Sequence, residues 1–306
     1  MSYTTLIKNE ILEQVRSKPA LIALLSGFIR CNASIKESEL ELTTENIKTA
    51  EFIANSVYET YEEYVIFKVR DYVNFNKKKL YVLLIRDKTN IILQDIGYLD
   101  KLGNKLENTP LYIIDGDEEV RAYLSGVFLT SGSINDPKTS QYHMELTFSS
   151  AEEAVYVQKI LNNFDLNAKI LMRDKTYMVY LKEAEKISDY LRILGANKAV
   201  MYFEDIRIYR DKKNQANRLN NCEQANTDKI FSAAALQLEQ IKIIEENLGN
   251  SLLDDKTKEA LEYRKKYPEA SLKELSEIIS METGNKLTKS GLNHRFRKIK
   301  ELSEKY

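Results

Sequence analysis

The chain has no tryptophan, only two cysteines and only two histidines among 306 residues. Cys31 and Cys222 are too few, and too far apart in sequence, for a disulfide framework or a zinc site. His143 and His294 are remote in sequence from both cysteines, so no metal is expected. The absence of tryptophan decides nothing by itself. Long apolar runs are missing too. The longest are short pieces such as Tyr81–Ile85 and Leu21–Leu25, whereas a membrane-spanning helix needs about 17–25 apolar residues. The opening MSYTTLIKNE has no basic stretch leading into an apolar one, so no secretion signal is expected. No Walker A motif, dinucleotide fingerprint or nucleophile elbow occurs. These absences lead to the expectation of a cytoplasmic protein without cofactor, membrane contact or evident small-molecule substrate.

What is present suits a globular protein: 43% of residues are hydrophobic and 30% charged. At roughly 100–200 residues per domain, two domains are expected. The net charge of −1 looks wrong for a nucleic-acid binder until it is divided along the chain. Residues 251–306 hold 13 Lys/Arg against 10 Asp/Glu, leaving 32 against 36 for the rest. From Lys286 to Lys300 there are six basic residues and no acid. Positive charge is local, so its partner site should be local.

Two segments repeat. LIALLSGFIRCNASI (Leu21–Ile35) and VRAYLSGVFLTSGSI (Val120–Ile134) each carry Leu-Ser-Gly on an apolar helix, then Ser-Ile, with Gly27 and Gly126 99 residues apart. That period suggests a duplicated half-domain. The following elements repeat as well. In the first half, Glu39–Thr44 alternates as a strand, Glu45–Tyr61 has helical spacing, Tyr64–Arg70 and Lys79–Arg86 are strands, and Asn90–Leu99 closes as a helix. In the second, the matching segments are Gln141–Phe148, Ala151–Phe164, Ala168–Arg173, Thr176–Lys182 and Glu183–Leu194. Each half reads αββαββα, giving an α+β domain over residues 1–213 with halves of about 1–103 and 104–213. A glycine inside a helix costs about 0.5–1 kcal/mol relative to alanine. Close approach of two helices at Gly27 and Gly126 is a reason to keep both. After Arg210 the alternation stops, and residues 214–250 read as a helical linker of one or two helices, broken at Gly249-Asn250-Ser251.

Residues 251–306 carry the sharpest local signal, an all-α helix-turn-helix domain. Asp254–Lys266 is helical and ends at Tyr267-Pro268. Ser271-Leu272-Lys273-Glu274 is a capping box. Leu272, Leu275, Ile278 and Ile279 form one apolar face, followed by a turn from Met281 to Leu287. Thr288 or Ser290 can cap a third helix, whose core stripe is Leu292, Phe296, Ile299 and Leu302. Ser290, His294, Arg297 and Lys298 point away from that stripe, with Lys289 and Asn293 on its flanks. A recognition helix places its N-terminal residues on base edges. Asn293 suits adenine and arginine suits guanine, while Arg297, Lys298 and Lys300, in a run that also holds Arg295, suit phosphate.

Taken together, these residues resemble the WhiA family of bacterial regulators. The likeness spans nearly the whole chain. It is most specific at RAYLSGVFLTSGSINDP (Arg121–Pro137), NRLNNCEQAN (Asn217–Asn226), PEASLKEL (Pro268–Leu275) and KSGLNHRFRKI (Lys289–Ile299). The resemblance implies a degenerate, pseudo-twofold LAGLIDADG homing-endonuclease-like domain joined to a C-terminal helix-turn-helix. It also implies sequence-specific binding of double-stranded DNA, transcriptional control, and a role in cell division or chromosome segregation, linked to sporulation in some members. The expected location is cytoplasmic and nucleoid-associated. Other regulators or RNA polymerase are the candidate protein partners. Active LAGLIDADG nucleases end their motif on an acid that binds a divalent metal. Here the matching positions are Asn32 and Ser131, which carry no charge, and the nearby Glu37 and Asp136 lie off the motif. No catalytic residue is therefore expected.

Three weaker clusters remain as accessory candidates for DNA or interdomain contact. Lys68 and Arg70 oppose Val65, Phe67 and Val69 on one strand, and Lys169 and Arg173 oppose Ile170 and Met172 on another. Glu39, Glu41 and Glu145 dilute that charge, so the footprint for phosphate is weak. Arg218, Asn221 and Asn226 form a polar cluster on a helix, with asparagines that favour helix poorly. The alternative functions are an active endonuclease, or a division or segregation partner whose DNA binding is secondary.

Overall fold

The structure is a computed structural model that describes residues 2–36, 39–71, 79–139, 141–247 and 253–306. It divides into two compact units, Met1–Arg210 and Asp211–Tyr306.

In the first unit, α1 (Tyr3–Leu12) precedes two copies of one pattern. The first copy is α2 (Lys18–Asn32), β1 (Ser34–Lys36), β2 (Glu39–Thr44), α3 (Ile47–Tyr61), β3 (Ile66–Asp71), β4 (Lys79–Ile85) and α4 (Thr89–Asp95). The second is α5 (Asp117–Ser131), β5 (Gly132–Ile134), β6 (Met144–Phe148), α6 (Ala151–Asn163), β7 (Lys169–Arg173), β8 (Thr176–Leu181) and α7 (Ala184–Ile193). The sheets have the same antiparallel order, β1-β2-β4-β3 and β5-β6-β8-β7. The αββαββα duplication expected from the repeat is thus the observed fold.

The two repeated segments meet. Helices α2 and α5 pack against each other at the centre of one continuous core, and Leu24, Leu25, Phe28, Leu124, Val127 and Phe128 are all fully buried there. The glycines explain how close they come. A β-carbon at Gly126 would lie inside contact distance of the Leu24 carbonyl oxygen and 2.8 Å from Phe28 N. One at Gly27 would collide with the Tyr123 carbonyl. The helix starts are built locally: Ser17 caps α2 by accepting from Ala20 N, with a proline in the first turn. Asp117, Glu118 and Glu119 place negative charge at the positive end of α5.

A buried ion pair crosses between the halves. Arg30 of α2 donates Nη1 to Glu153 Oε1 of α6 at 2.8 Å, with side chains 0% and 5% exposed. The same guanidinium donates to the carbonyls of Gly97 at 2.7 Å and Leu106 at 3.2 Å. It thereby ties the second half to the segment leaving α4.

Some boundaries differ from the sequence reading. The helix expected over Asn90–Leu99 ends at Asp95, because Gly97 takes a left-handed φ of +68° and turns the chain. The strand expected from Gln141 starts at Met144. Helix α1 had no counterpart in the repeat. It is held by long-range bonds: Thr4 Oγ1 bonds both the N–H and the carbonyl of Ile134 at 3.0 Å, and Tyr3 OH donates to the Ala199 carbonyl at 2.8 Å.

Helix α8 spans Asn197–Asn247, starting well before the expected linker. Ala199 and Phe203 join the first core. Residues 211–229 are exposed on every side. Ile241 and Ile244 then enter the second core, so the C-terminal half of the supposed linker is part of the second unit's packing. The break read at Gly249-Asn250-Ser251 lies outside the described residues.

That second core joins the end of α8 to α9 (Asp255–Lys266), α10 (Leu272–Thr283) and α11 (Lys289–Ser303) through Leu253, Ala260, Leu261, Leu275, Ile279, Leu292, Phe296 and Ile299. The capping box at Ser271 and Glu274 forms as read. Helix α10 runs two residues past the expected start of the turn and stops at Gly284, whose φ of +71° suits a residue without a β-carbon. The turn is latched by Ser280, whose hydroxyl accepts from Leu287 N at 2.9 Å. Arg264 is the buried post of this unit. It is 1% exposed, lies 5.4 Å from the Phe296 ring centre and donates to the Ala270 carbonyl at 2.6 Å. Its burial depresses the guanidinium pKa.

Candidate nucleic-acid interface

Thr288 accepts from Gly291 N at 3.1 Å and so starts α11 at Lys289. With Leu292, Phe296 and Ile299 buried, the helix displays Lys289, Ser290, Asn293, His294, Arg297, Lys298 and Lys300, all exposed. They do not act alike. Among the described residues, Lys289 and Arg297 have no ion-pair partner, nor does His294. Lys300 stands 3.7 Å from Glu304, one turn on. Lys298 is hydrogen-bonded to Asp254, the cap of α9, whose carboxyl is held well below the usual range by Lys298 and by Thr257.

Arg295 requires a correction. It faces α9, its side chain is 17% exposed, and it pairs with Glu259 and donates to the Lys256 carbonyl at 3.2 Å. It fastens α11 to α9, so its charge is already paired within the protein. The sequence carried no sign of this, because Glu259 is 36 residues away and its partner is chosen by packing.

Asn293, Arg297 and Lys300 form one wall of an open groove of about 500 Å³, and Leu236, Gln237 and Gln240 of α8 form the other. Ser290 and His294 lie off that groove. Asn293 and Arg297 are thus flanked by α8, a neighbour that helical periodicity alone did not reveal.

The accessory clusters stay apart. Lys68 and Arg70 are both exposed on β3, and Lys169 and Arg173 on β7, the outermost strands of the two sheets. Arg70 holds Glu41 at 3.2 Å through both terminal nitrogens, and Arg86 holds Glu39 at 2.6 Å. His143 bonds Glu145 at 3.0 Å. Of the four accessory cations, Arg70 is thus neutralised in place, while Lys68, Lys169 and Arg173 have no ion-pair partner among the described residues. Arg218, Asn221 and Asn226 are all exposed on α8, and of these Asn226 lines a second cleft against α10 and α11.

At the motif ends of α2 and α5 the side chains are turned to structural use. Asn32 Nδ2 donates to the Thr43 carbonyl at 2.9 Å and Oδ1 accepts from Thr43 N at 2.6 Å, so Asn32 extends the hydrogen bonding of β2. Ser131 Oγ donates to the Val127 carbonyl at 2.8 Å, back along its own helix. A hard divalent cation wants several carboxylate oxygens, and an amide and a hydroxyl already bonded to backbone do not fit one. Asp136 accepts from Lys138 N at 2.9 Å in its own loop, and Glu37 lies outside the described residues. Burial pushes the neighbouring Cys31 thiol well up, away from the reactive thiolate.

Fold and site together define a two-part protein: a duplicated LAGLIDADG-type domain without the acids of its motif, and a helix-turn-helix unit whose last helix is basic. Family models of WhiA match in chain order. The N-terminal LAGLIDADG-like domain covers residues 19–99, the LAGLIDADG-like domain 120–213 and the C-terminal HTH domain 216–303. The chain is 38% identical over its whole length to the probable cell division protein WhiA of Bacillus cereus, of which 97% is covered. The figures are the same for the protein of that description in Bacillus cytotoxicus. The full-length DUF199/WhiA crystal structure from Thermatoga maritima shares the fold at a TM-score of 0.59 and 21% identity, over 100% of this chain and 98% of that one. The chain belongs to the WhiA family.

Proposed function

We propose that this protein binds double-stranded DNA sequence-specifically through α11 and regulates transcription, and that, as the names of its relatives suggest, it serves cell division. A role in chromosome segregation and a place on the nucleoid belong to the same reading. The observation that carries it is the exposed N-terminal half of α11, where Lys289, Ser290, Asn293, His294 and Arg297 stand free of ion pairs among the described residues. Asn293 reads a base edge. Arg297 and Lys289 neutralise phosphates, and Lys298 and Lys300 do so only by exchanging Asp254 and Glu304 for the DNA.

The experiment is binding of the full chain and its variants to a duplex selected from a random pool and to random duplex, over a salt series. Losing one good base contact costs about 1–3 kcal/mol, or about 5- to 150-fold in discrimination. Asn293→Ala should therefore erode the preference for the selected sequence. Arg297→Ala should weaken both duplexes alike and reduce the log–log salt slope by about one. Unchanged binding by both variants would remove α11 as the reader.

The first unit is a scaffold that does not cut DNA. The side chains of Asn32 and Ser131 support this, since both are uncharged and tied to backbone by hydrogen bonds, whereas a hard catalytic cation wants carboxylate oxygen. Purified protein should leave supercoiled plasmid intact with either Mg²⁺ or Mn²⁺. Nicking that depends on the metal and disappears on Asn32→Ala would overturn it. With its basic side chains partly paired, the outer sheet face is at most an accessory DNA contact or a platform for other regulators or RNA polymerase.

A further inference from the structure

The second unit has another cleft, of about 340 Å³, between the exposed stretch of α8 and the N-termini of α10 and α11. Its lining includes Asn226, Lys229, Lys273 and Lys289, and no carboxylate. The two neighbouring grooves differ in kind: one carries Glu301 and Glu304, the other Glu269, Glu274 and Glu277. Ser271, Leu272 and Lys273, the first residues of α10, form part of the wall. The capping box bonds the N–H groups of Ser271 and Glu274, so the start of α10 offers the cleft the N–H groups of Leu272 and Lys273. Arg264 lines the cleft as well. It is 1% exposed and donates Nη1 to the carbonyls of Tyr267, Pro268 and Ala270, so it fixes the wall of the cleft. Lys229 and Lys289 have no ion-pair partner among the described residues, and Lys273 approaches Glu277 only at 4.0 Å.

Three exposed lysines beside the first turn of α10, in a cleft with no carboxylate among its described lining residues, favour an anion. We infer that this cleft holds a backbone phosphate of duplex DNA, beside the groove that α11 reads. This rests on the DNA-binding reading above and adds to it a second wall, supplied by α8. The source is DNA backbone, because Lys289 joins the cleft to the start of the reading helix. In helix-turn-helix docking the first helix of the motif, here α10, crosses the phosphates while the second enters the groove. The exposed, asparagine-rich stretch of α8 thereby gains a role at its end: Asn226 and Lys229 clamp the strand from the side opposite α10.

The test uses the full chain, with Lys229→Ala, Lys273→Ala and the double variant, against selected and random duplex across a salt series. All three lysines are exposed, so thermal unfolding should be unchanged. The double variant should reduce the salt slope by about one, the loss of one phosphate contact, and each single variant by less. Affinity for both duplexes should fall by the same factor. A double variant with wild-type slope and affinity overturns the cleft while leaving α11 as the reader. Failure of the unaltered chain to bind any duplex overturns the DNA reading and the cleft with it. Inorganic phosphate at matched ionic strength should compete with duplex more strongly than chloride in the unaltered chain and no more than chloride in the double variant. Phosphate that stays bound when duplex is added would assign the cleft to a free anion and overturn the inference.

Discussion

Glu153→Gln should lower the unfolding free energy of the first unit by about 3–5 kcal/mol, the usual loss when one partner of a buried ion pair is removed. Arg30 would keep its bonds to Gly97 and Leu106, but its charge would face a neutral amide at 0% exposure. At about 2–4 °C per kcal/mol for a domain of this size, the melting transition should fall by roughly 6–20 °C. Calorimetry of the full chain is the measurement, with the second unit's transition as internal reference. The double variant Arg30→Met, Glu153→Leu should lie closer to wild type than Glu153→Gln, because it removes the desolvated charge along with its partner. A shift below about 2 °C for Glu153→Gln would mean that the pair does not join the halves energetically.

Gly126→Ala should also destabilise the first unit, although alanine is the better helix former by about 0.5–1 kcal/mol. The added methyl meets the Leu24 carbonyl oxygen and Phe28 N, which are backbone atoms of α2 and cannot rotate away. Overpacking a filled core costs about 1–3 kcal/mol, and an obstacle made of backbone belongs at the top of that range. Gly126→Val should be worse. Gly291→Ala in α11 is the contrast, since its β-carbon would sit 3.3 Å from Leu287 Cδ1 and 3.4 Å from Thr288 Oγ1, both side-chain atoms. There the helix propensity should win or break even. Denaturant unfolding of the three variants tests the pair of signs. If Gly126→Ala is neutral, α2 and α5 are free to separate and the glycines are not what brings them together.

The central helix contact was legible because it is written twice. Leu-Ser-Gly recurs 99 residues apart, and a helical glycine kept in both copies has a cost that close packing offsets. The helix-turn-helix was legible for a different reason: the capping box, the apolar stripe and the basic run are local and follow the period of a helix. The identity of the residues at Asn32 and Ser131 also spoke directly, since no fold can give an amide or a hydroxyl the charge of a carboxylate.

What the tertiary structure decided is pairing across distance. Arg30 and Glu153 are 123 residues apart, and nothing local marks either as buried. Arg295 and Lys298 looked like their neighbour Arg297 until α9 placed Glu259 and Asp254 beside them. The end of α8 read as linker because strand alternation stops after Arg210, yet Ile241 and Ile244 enter the second core, and Lys229 lines one cleft with Lys273 and Lys289. Sequence alone determined the duplicated α+β half, the helix-turn-helix with its basic last helix and the loss of the motif acids, because periodicity and chemical identity are local properties. Which charges are spent inside the protein and which are left for a partner depends on the side chains that packing brings opposite them, and only the folded chain contains that information.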